Sequence, residues 1–194
     1  MEARLRKVFG VVLAGVVVAA CAEGRSPVDQ GERPGAVGSA SVVQVPTLLP
    51  VLKRVDPLKA AVKASAVIDP AGGVLELPEA GLRVVFPVGA VASRVWVSVQ
   101  APAGRNVAYR FSPHGMVFLK PVRVEQSLVG TEAEGNAALQ LLLRGGYFPL
   151  RLHHAARLDR LPVTEVYPVF YLDEASTRAA FDILHCSGYM KASG

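Results

Sequence analysis

Four histidines, His114, the adjacent pair His153-His154 and His185, are the side chains best suited to hold a metal ion. Adjacent histidines on a strand point to opposite faces, so the pair is poorly placed to chelate one ion. No carboxylate or cysteine lies at ligand spacing, and surface positions are the ordinary place for such histidines; no metal or other cofactor is expected. A Ser-His-Asp hydrolase is not expected either. The chain has no Gly-x-Ser-x-Gly elbow, and Ser112 precedes Pro113 in a turn, where serine is common for local reasons. Two cysteines, Cys21 and Cys186, are an even count that invites a disulfide in a secreted protein. Aromatic side chains are the remaining candidates, since Tyr and Trp favour interfaces. Most of Tyr109, Tyr147, Tyr167, Phe170 and Tyr171 belong in a core or on a sheet face. Trp96 is out of phase with Val95, Val97 and Val99 and is the aromatic expected at the surface, a candidate for binding.

The elements that must position these residues are short strands. Apolar residues make up 51% of the 194 and charged residues only 19%, which supplies a core and argues against disorder throughout. With 14 Pro, 18 Gly and recurrent Val, strands joined by turns fit better than a helical bundle. From about Ser65 the pattern predicts strands at Ala66–Asp69, Val74–Leu77, Leu82–Phe86, Val95–Val99, Val107–Phe111, Met116–Leu119 and Val122–Gln126. Others follow at Leu139–Leu143, Tyr147–Leu152, Val163–Leu172 and Thr177–Leu184, with Arg144-Gly145-Gly146 read as a hairpin turn. Alternation of period two over so many segments predicts an all-β fold, an antiparallel β-sandwich.

The amino terminus carries a different message. Residues 1–7 (MEARLRK) are a short positive leader, and Val8 through Ala20 are all apolar or small, followed at once by Cys21. A spanning helix needs about 20 apolar residues; these 13 match the hydrophobic region of a secretory signal instead. Residues 22 to about 45, rich in Gly, Pro, Ser and Ala, have the composition of a flexible tether. Pro50 and Pro57 argue against one long helix between Val51 and Lys63, and the tether is taken to run to residue 64. The domain is then expected over residues 65–194.

Charge limits the partners. The formal net charge is +5; removing residues 1–20 takes the 21 basic and 16 acidic residues to 18 and 15, a net of +3. The basic residues are scattered, and the densest stretch, Arg151 to Arg160, is interrupted by Asp159. A nucleic-acid partner predicts a clustered basic face, so none is expected.

Val18-Ala19-Ala20-Cys21 resembles the bacterial lipobox, with Val18 where Leu is usual. The resemblance implies a diacylglycerol thioether on Cys21, cleavage before it, and acylation of the new amine. Each buried methylene contributes about 0.8 kcal/mol, and two or more chains anchor stably where one does not. Ala22 follows Cys21 with no Asp retention signal, which implies the outer membrane where the cell has one. Lipidation leaves Cys186 unpaired, as a small buried hydrophobe.

Two stretches go beyond generic patterning. Gly72-Gly73, Leu75, Leu77, Gly81, Leu82, Phe86-Pro87 and Gly89-Ala90 lead on to Ser112-Pro113-His114-Gly115, Phe118, Pro121 and Val122. This pattern resembles the ZU-type domain, the β-sandwich module of zona-occludens proteins, netrin receptors and ankyrins. Phe181 through Tyr189 (FDILHCSGY) resembles the His-Phe-Ser-Gly-Tyr strand that closes bacterial proteins of this type, with Cys186 where Phe is usual. The resemblance implies an interaction module without a catalytic activity common to the group. In some eukaryotic members the corresponding His-Phe-Ser cleaves itself: here Ser187 would attack the carbonyl of Cys186, with His185 as base. Such a step needs a strained peptide bond and an oxyanion donor.

Together these readings lead to a non-enzymatic lipoprotein tethered to a membrane through Cys21, binding or scaffolding an envelope protein or a glycan. Self-cleavage between Cys186 and Ser187 is the alternative of a different class, and a dedicated glycan-binding module is a third.

Overall fold

The computed structural model describes residues 46–149 and 151–193. The leader, Cys21 and the first part of the tether lie outside the described residues. The chain runs through β1 (Thr47–Pro50), β2 (Lys53–Leu58), β3 (Val62–Ile68), β4 (Gly73–Leu77), β5 (Leu82–Phe86), β6 (Val95–Ala101), β7 (Gly104–Asn106), β8 (Ala108–Ser112) and β9 (Val117–Ser127). After α1 (Ala137–Leu142) come β10 (Leu143–Phe148), α2 (Leu152–Ala155), β11 (Arg160–Val163), β12 (Glu165–Pro168), β13 (Phe170–Tyr171), β14 (Arg178–His185) and β15 (Gly188–Ser193).

Alternation decides the architecture. In β5, Leu82, Val84 and Phe86 are buried while Arg83 and Val85 are only half-buried; in β6, Val97, Val99 and Ala101 are buried while Trp96 is exposed. Each strand thus presents one apolar face, and two such sheets bury those faces against each other. One sheet has six strands in the order β12-β10-β15-β8-β6-β3, the other five in the order β13-β14-β9-β5-β4, with every pairing antiparallel. The result is an all-β antiparallel sandwich. Leu75, Leu82, Val84, Val124, Phe181 and Ile183 from one sheet and Val97, Val99, Phe111 and Tyr189 from the other share its core. At about 1.5–3 kcal/mol for each fully buried large apolar side chain, this core is the main source of stability.

β15 is buried on both faces. Tyr189 enters the main core, while Met190 and Ala192 join a smaller cluster with Val51, Ala108, Phe148, Ala155, Leu161 and Val163. Strands β1 and β11 pair with each other beside that cluster, and β2 pairs with β7.

Five expectations from the sequence are corrected. Residues 47–64, assigned to the tether, hold β1, β2 and the start of β3: β3 pairs with β6 along its whole length, and Leu52 is fully buried. The stretch Leu139–Leu143 is not a strand but α1 leading into β10. The Asn136 side chain accepts from the Leu139 amide at 3.1 Å, an N-cap in front of a run of good helix formers. Arg144-Gly145-Gly146 is not a hairpin turn but the middle of β10, paired with β15 and β12. These glycines serve close approach: a Cβ on Gly145 would lie 2.6 Å from the Phe181 ring, and one on Gly146 would lie 2.8 Å from a Val163 methyl. Finally, His153 and His154 lie on α2 rather than on a strand, and the span Val163–Leu172 is broken among β11, β12 and β13.

Candidate functional site

The outer face of the six-stranded sheet is where Trp96 stands. Strand alternation that buries Val97, Val99, Tyr109 and Phe111 turns the intervening residues outward, and antiparallel register aligns them in rows across β3, β6 and β8. The first row is Val67 opposite Trp96, 49% and 64% exposed. Ser65, Ser98 and Ser112 make the second, with Ser98 tucked down between exposed neighbours. The third is Lys63, Gln100 and Arg110. Same-face residues two apart on a strand are separated by about 6.6–6.8 Å, so Trp96 to Gln100 spans about 13 Å.

Gln100 also lines a cleft of about 450 Å³, whose other walls include Pro102, Ala103, His153 and Arg157. The face therefore continues from an aromatic platform, past hydroxyls, into a cleft with Arg157 on its wall. Desolvation lowers the pKa of His153 below the ordinary histidine value, and the neighbouring His154, Arg151 and Arg157 lower it further. Asp159, the acid in that stretch, is engaged by Lys53. None of the residues in the three rows or in the cleft walls named above is acidic.

The outer face of the other sheet contrasts with this one. There Glu125, 6% exposed, accepts from Arg83 and Arg178, Arg83 also reaches Glu76, and Arg123 pairs with Asp182. The charges of this second face are neutralised within it.

The segment His185-Cys186-Ser187 crosses from β14 in one sheet to β15 in the other, just after a register shift between Ile183 and His185. His185 faces Glu165, 3.3 Å from its Nε2, and packs edge-on against Tyr147. Tyr189 donates to the His185 carbonyl at 2.7 Å and its hydroxyl lies 2.9 Å from His185 Nδ1. The histidine beside Ser187 is instead His114, whose Nδ1 is 3.2 Å from Ser187 Oγ. The amide of Gly115 donates to the Cys186 carbonyl at 2.9 Å. Burial pushes the Cys186 thiol up to about 12, so it carries little thiolate at neutral pH.

The other aromatic candidates divide as the alternation requires. Tyr109 is buried and hydrogen-bonds Ala80 O and Gln126, in a network with the buried Arg54 guanidinium. Tyr147, Tyr167 and Tyr171 are half-buried, and Phe170 lies under the Arg123 guanidinium, 4.8 Å from its ring centroid. Burial raises the Tyr109 hydroxyl to about 12, an effect that Arg54 opposes. Among the described residues no three His, Cys, Asp or Glu side chains are grouped so that they could hold a metal ion, and no helix is long and apolar enough to cross a membrane. His153 and His154 do come together, with ring centroids 4.0 Å apart, as neighbours on a short helix.

Two features gave no signal in the sequence. The row residues Lys63, Ser65 and Gln100 are common surface types assembled only by register between distant strands, and Arg157 joins them from the turn after α2. Lys191 sits on β15 at 1% exposure, its Nζ 4.8 Å from the Phe181 ring centroid and without a hydrogen-bond partner among the described residues. Burial pulls it down to about 7. No protein-family model matches the chain, and neither does any curated protein.

Proposed function

We propose that this protein is a lipid-tethered, non-catalytic binding module of the bacterial cell envelope, anchored through Cys21 and engaging its partner through the outer face of β3, β6 and β8. The observation that carries the reading is Trp96, 64% exposed beside Val67 on β6, whose alternate residues Val97, Val99 and Ala101 are buried. A large aromatic is costly to leave in water and is favoured at recognition surfaces. The lipobox-like Val18–Cys21 and the ZU-like pattern from Gly72 to Val122 support the same reading, an interaction module at a membrane, on the outer membrane where there is one. The test is in-cell cross-linking of the full-length protein beside Cys21→Ser and Trp96→Ala. An envelope component captured by the parent and lost in both variants is the expected result. Capture that is indifferent to both variants counts against the reading.

A second reading is favoured by the contacts of Ser187. His114 is placed to take the hydroxyl proton and the Gly115 amide already faces the Cys186 carbonyl oxygen. In that reading Ser187 Oγ bonds to the Cys186 carbonyl carbon and the peptide C–N bond breaks, leaving an ester and a free Ser187 amine. Water then hydrolyses the ester, which restores the hydroxyl and leaves Cys186 with a carboxylate. His114, rather than His185, is the base. Intact mass under denaturing conditions decides it: self-cleavage releases residues 187–194, and the release stops in Ser187→Ala and His114→Ala. One uncut mass for the parent after prolonged incubation excludes the step.

A further inference from the structure

We infer that the ligand of the Trp96 face is a linear anionic oligosaccharide, its sugar ring stacked on Trp96 and its acidic group held at the cleft beside Arg157; this rests on the binding-module reading above. The face is one side of a sheet. Its large apolar content is one indole and one valine, both exposed. A stable protein interface needs roughly 800 Å² per partner around several buried anchors, and this face lacks the apolar side chains to supply them. What it does offer is an aromatic ring, then serine hydroxyls, then the Gln100 amide, set out along about 13 Å of strand. That order matches a polyhydroxylated chain lying along the strands: the apolar face of one ring covers the indole, and its hydroxyls meet donors and acceptors further on.

Charge selects among glycans. Lys63 on the third row and Arg157 in the cleft are cationic, and the residues of the rows and cleft walls named above bring no carboxylate to oppose them. An arginine fork suits either a carboxylate or a phosphate, so the shared chemistry is an anionic sugar.

Trp96 is the single tryptophan of the chain, so its fluorescence reports this face alone. Full-length protein in detergent micelles would be titrated with a uronate oligosaccharide, a phosphorylated oligosaccharide of similar length, and the carboxyl-reduced neutral form of the first. The expected result is a saturable change in tryptophan emission with one of the two anionic probes, which identifies the acid, and at least tenfold weaker binding of the neutral form. Calorimetry with the better anionic probe should show binding abolished in Trp96→Ala and weakened at least tenfold in Arg157→Gln, with melting temperatures unchanged because both side chains lie at the surface. Equal binding of the neutral form overturns the anionic assignment. No response to any probe overturns the glycan inference; if cross-linking through the same face still captures a protein, the binding-module reading survives it.

Discussion

Lys191 sets the balance at the scale of a single residue. An ammonium buried without a hydrogen-bond partner is destabilising, relieved in part by the ring of Phe181 beneath it. The protein lowers the cost by releasing the proton: burial brings the group from an ordinary 10.5 down to about 7. Between those values the unfolded chain binds the proton that the folded chain has lost, so stability rises with pH across that window. The slope contributed is at most about 1.4 kcal/mol per pH unit. Above about pH 10 the buried Tyr109 hydroxyl, raised to about 12, works the other way, because the unfolded tyrosine ionises first. Urea unfolding midpoints measured from pH 6 to 9.5 are therefore expected to climb in the parent. In Lys191→Met they should climb less, and the variant should be more stable than the parent at pH 6. Parallel curves for the two proteins would mean that Lys191 reaches water or a partner anion.

At the scale of the element, β10 carries the argument. Its two glycines stand back to back, one admitting the Phe181 ring from the core and the other a Val163 methyl from the outer cluster. Gly145→Ala places a methyl where the ring now lies, and Phe181, at 2% exposure, has little room to move. Overpacking of this kind costs about 1–3 kcal/mol, to be read as a lower denaturation midpoint at unchanged slope. A glycine in a turn would tolerate the change or fail through backbone strain, leaving Phe181 undisturbed; NMR shifts of the Phe181 ring separate the cases. A Gly-Gly pair between apolar runs reads as a turn because turns are its commonest use, whereas close packing depends on a partner 36 residues away in the chain. The helix α1 was hidden for a related reason. A short apolar run such as Leu139–Leu143 fits either period, and only the Asn136 cap tips it towards helix. Where alternation was long and regular, as in β5 and β6, the sequence alone was enough.

At the scale of the whole molecule, the amino-terminal strands are where the sequence was least legible. Residues 46–64 carry Pro, Lys, Arg and Asp among their apolar positions, the composition of a linker, and their partners are remote: β1 pairs with β11 and β3 with β6. Nothing local marks them as part of the sandwich. The same distance hid the candidate face, since Trp96 declares itself by phase in one strand while its rows depend on register across three. Leu52 shows what these strands contribute. It is fully buried in the main core, its amide donates to the Lys191 carbonyl at 2.8 Å, and its own carbonyl accepts from Val107 at 2.9 Å. It thus links the start of the folded chain to β15 and to the chain entering β8, the strand that completes two of the three rows. Leu52→Ala removes apolar contacts that the surrounding backbone cannot close over, at about 2–5 kcal/mol, a large fraction of the stability of an ordinary domain. The expected outcome is a clear fall in melting temperature together with weaker ligand response at Trp96, although Leu52 belongs to the opposite side of the sheet. A residue in a tether would change neither, so an unaltered melt would return residues 46–64 to the linker and leave the Trp96 face to be held by β6 and β8 alone.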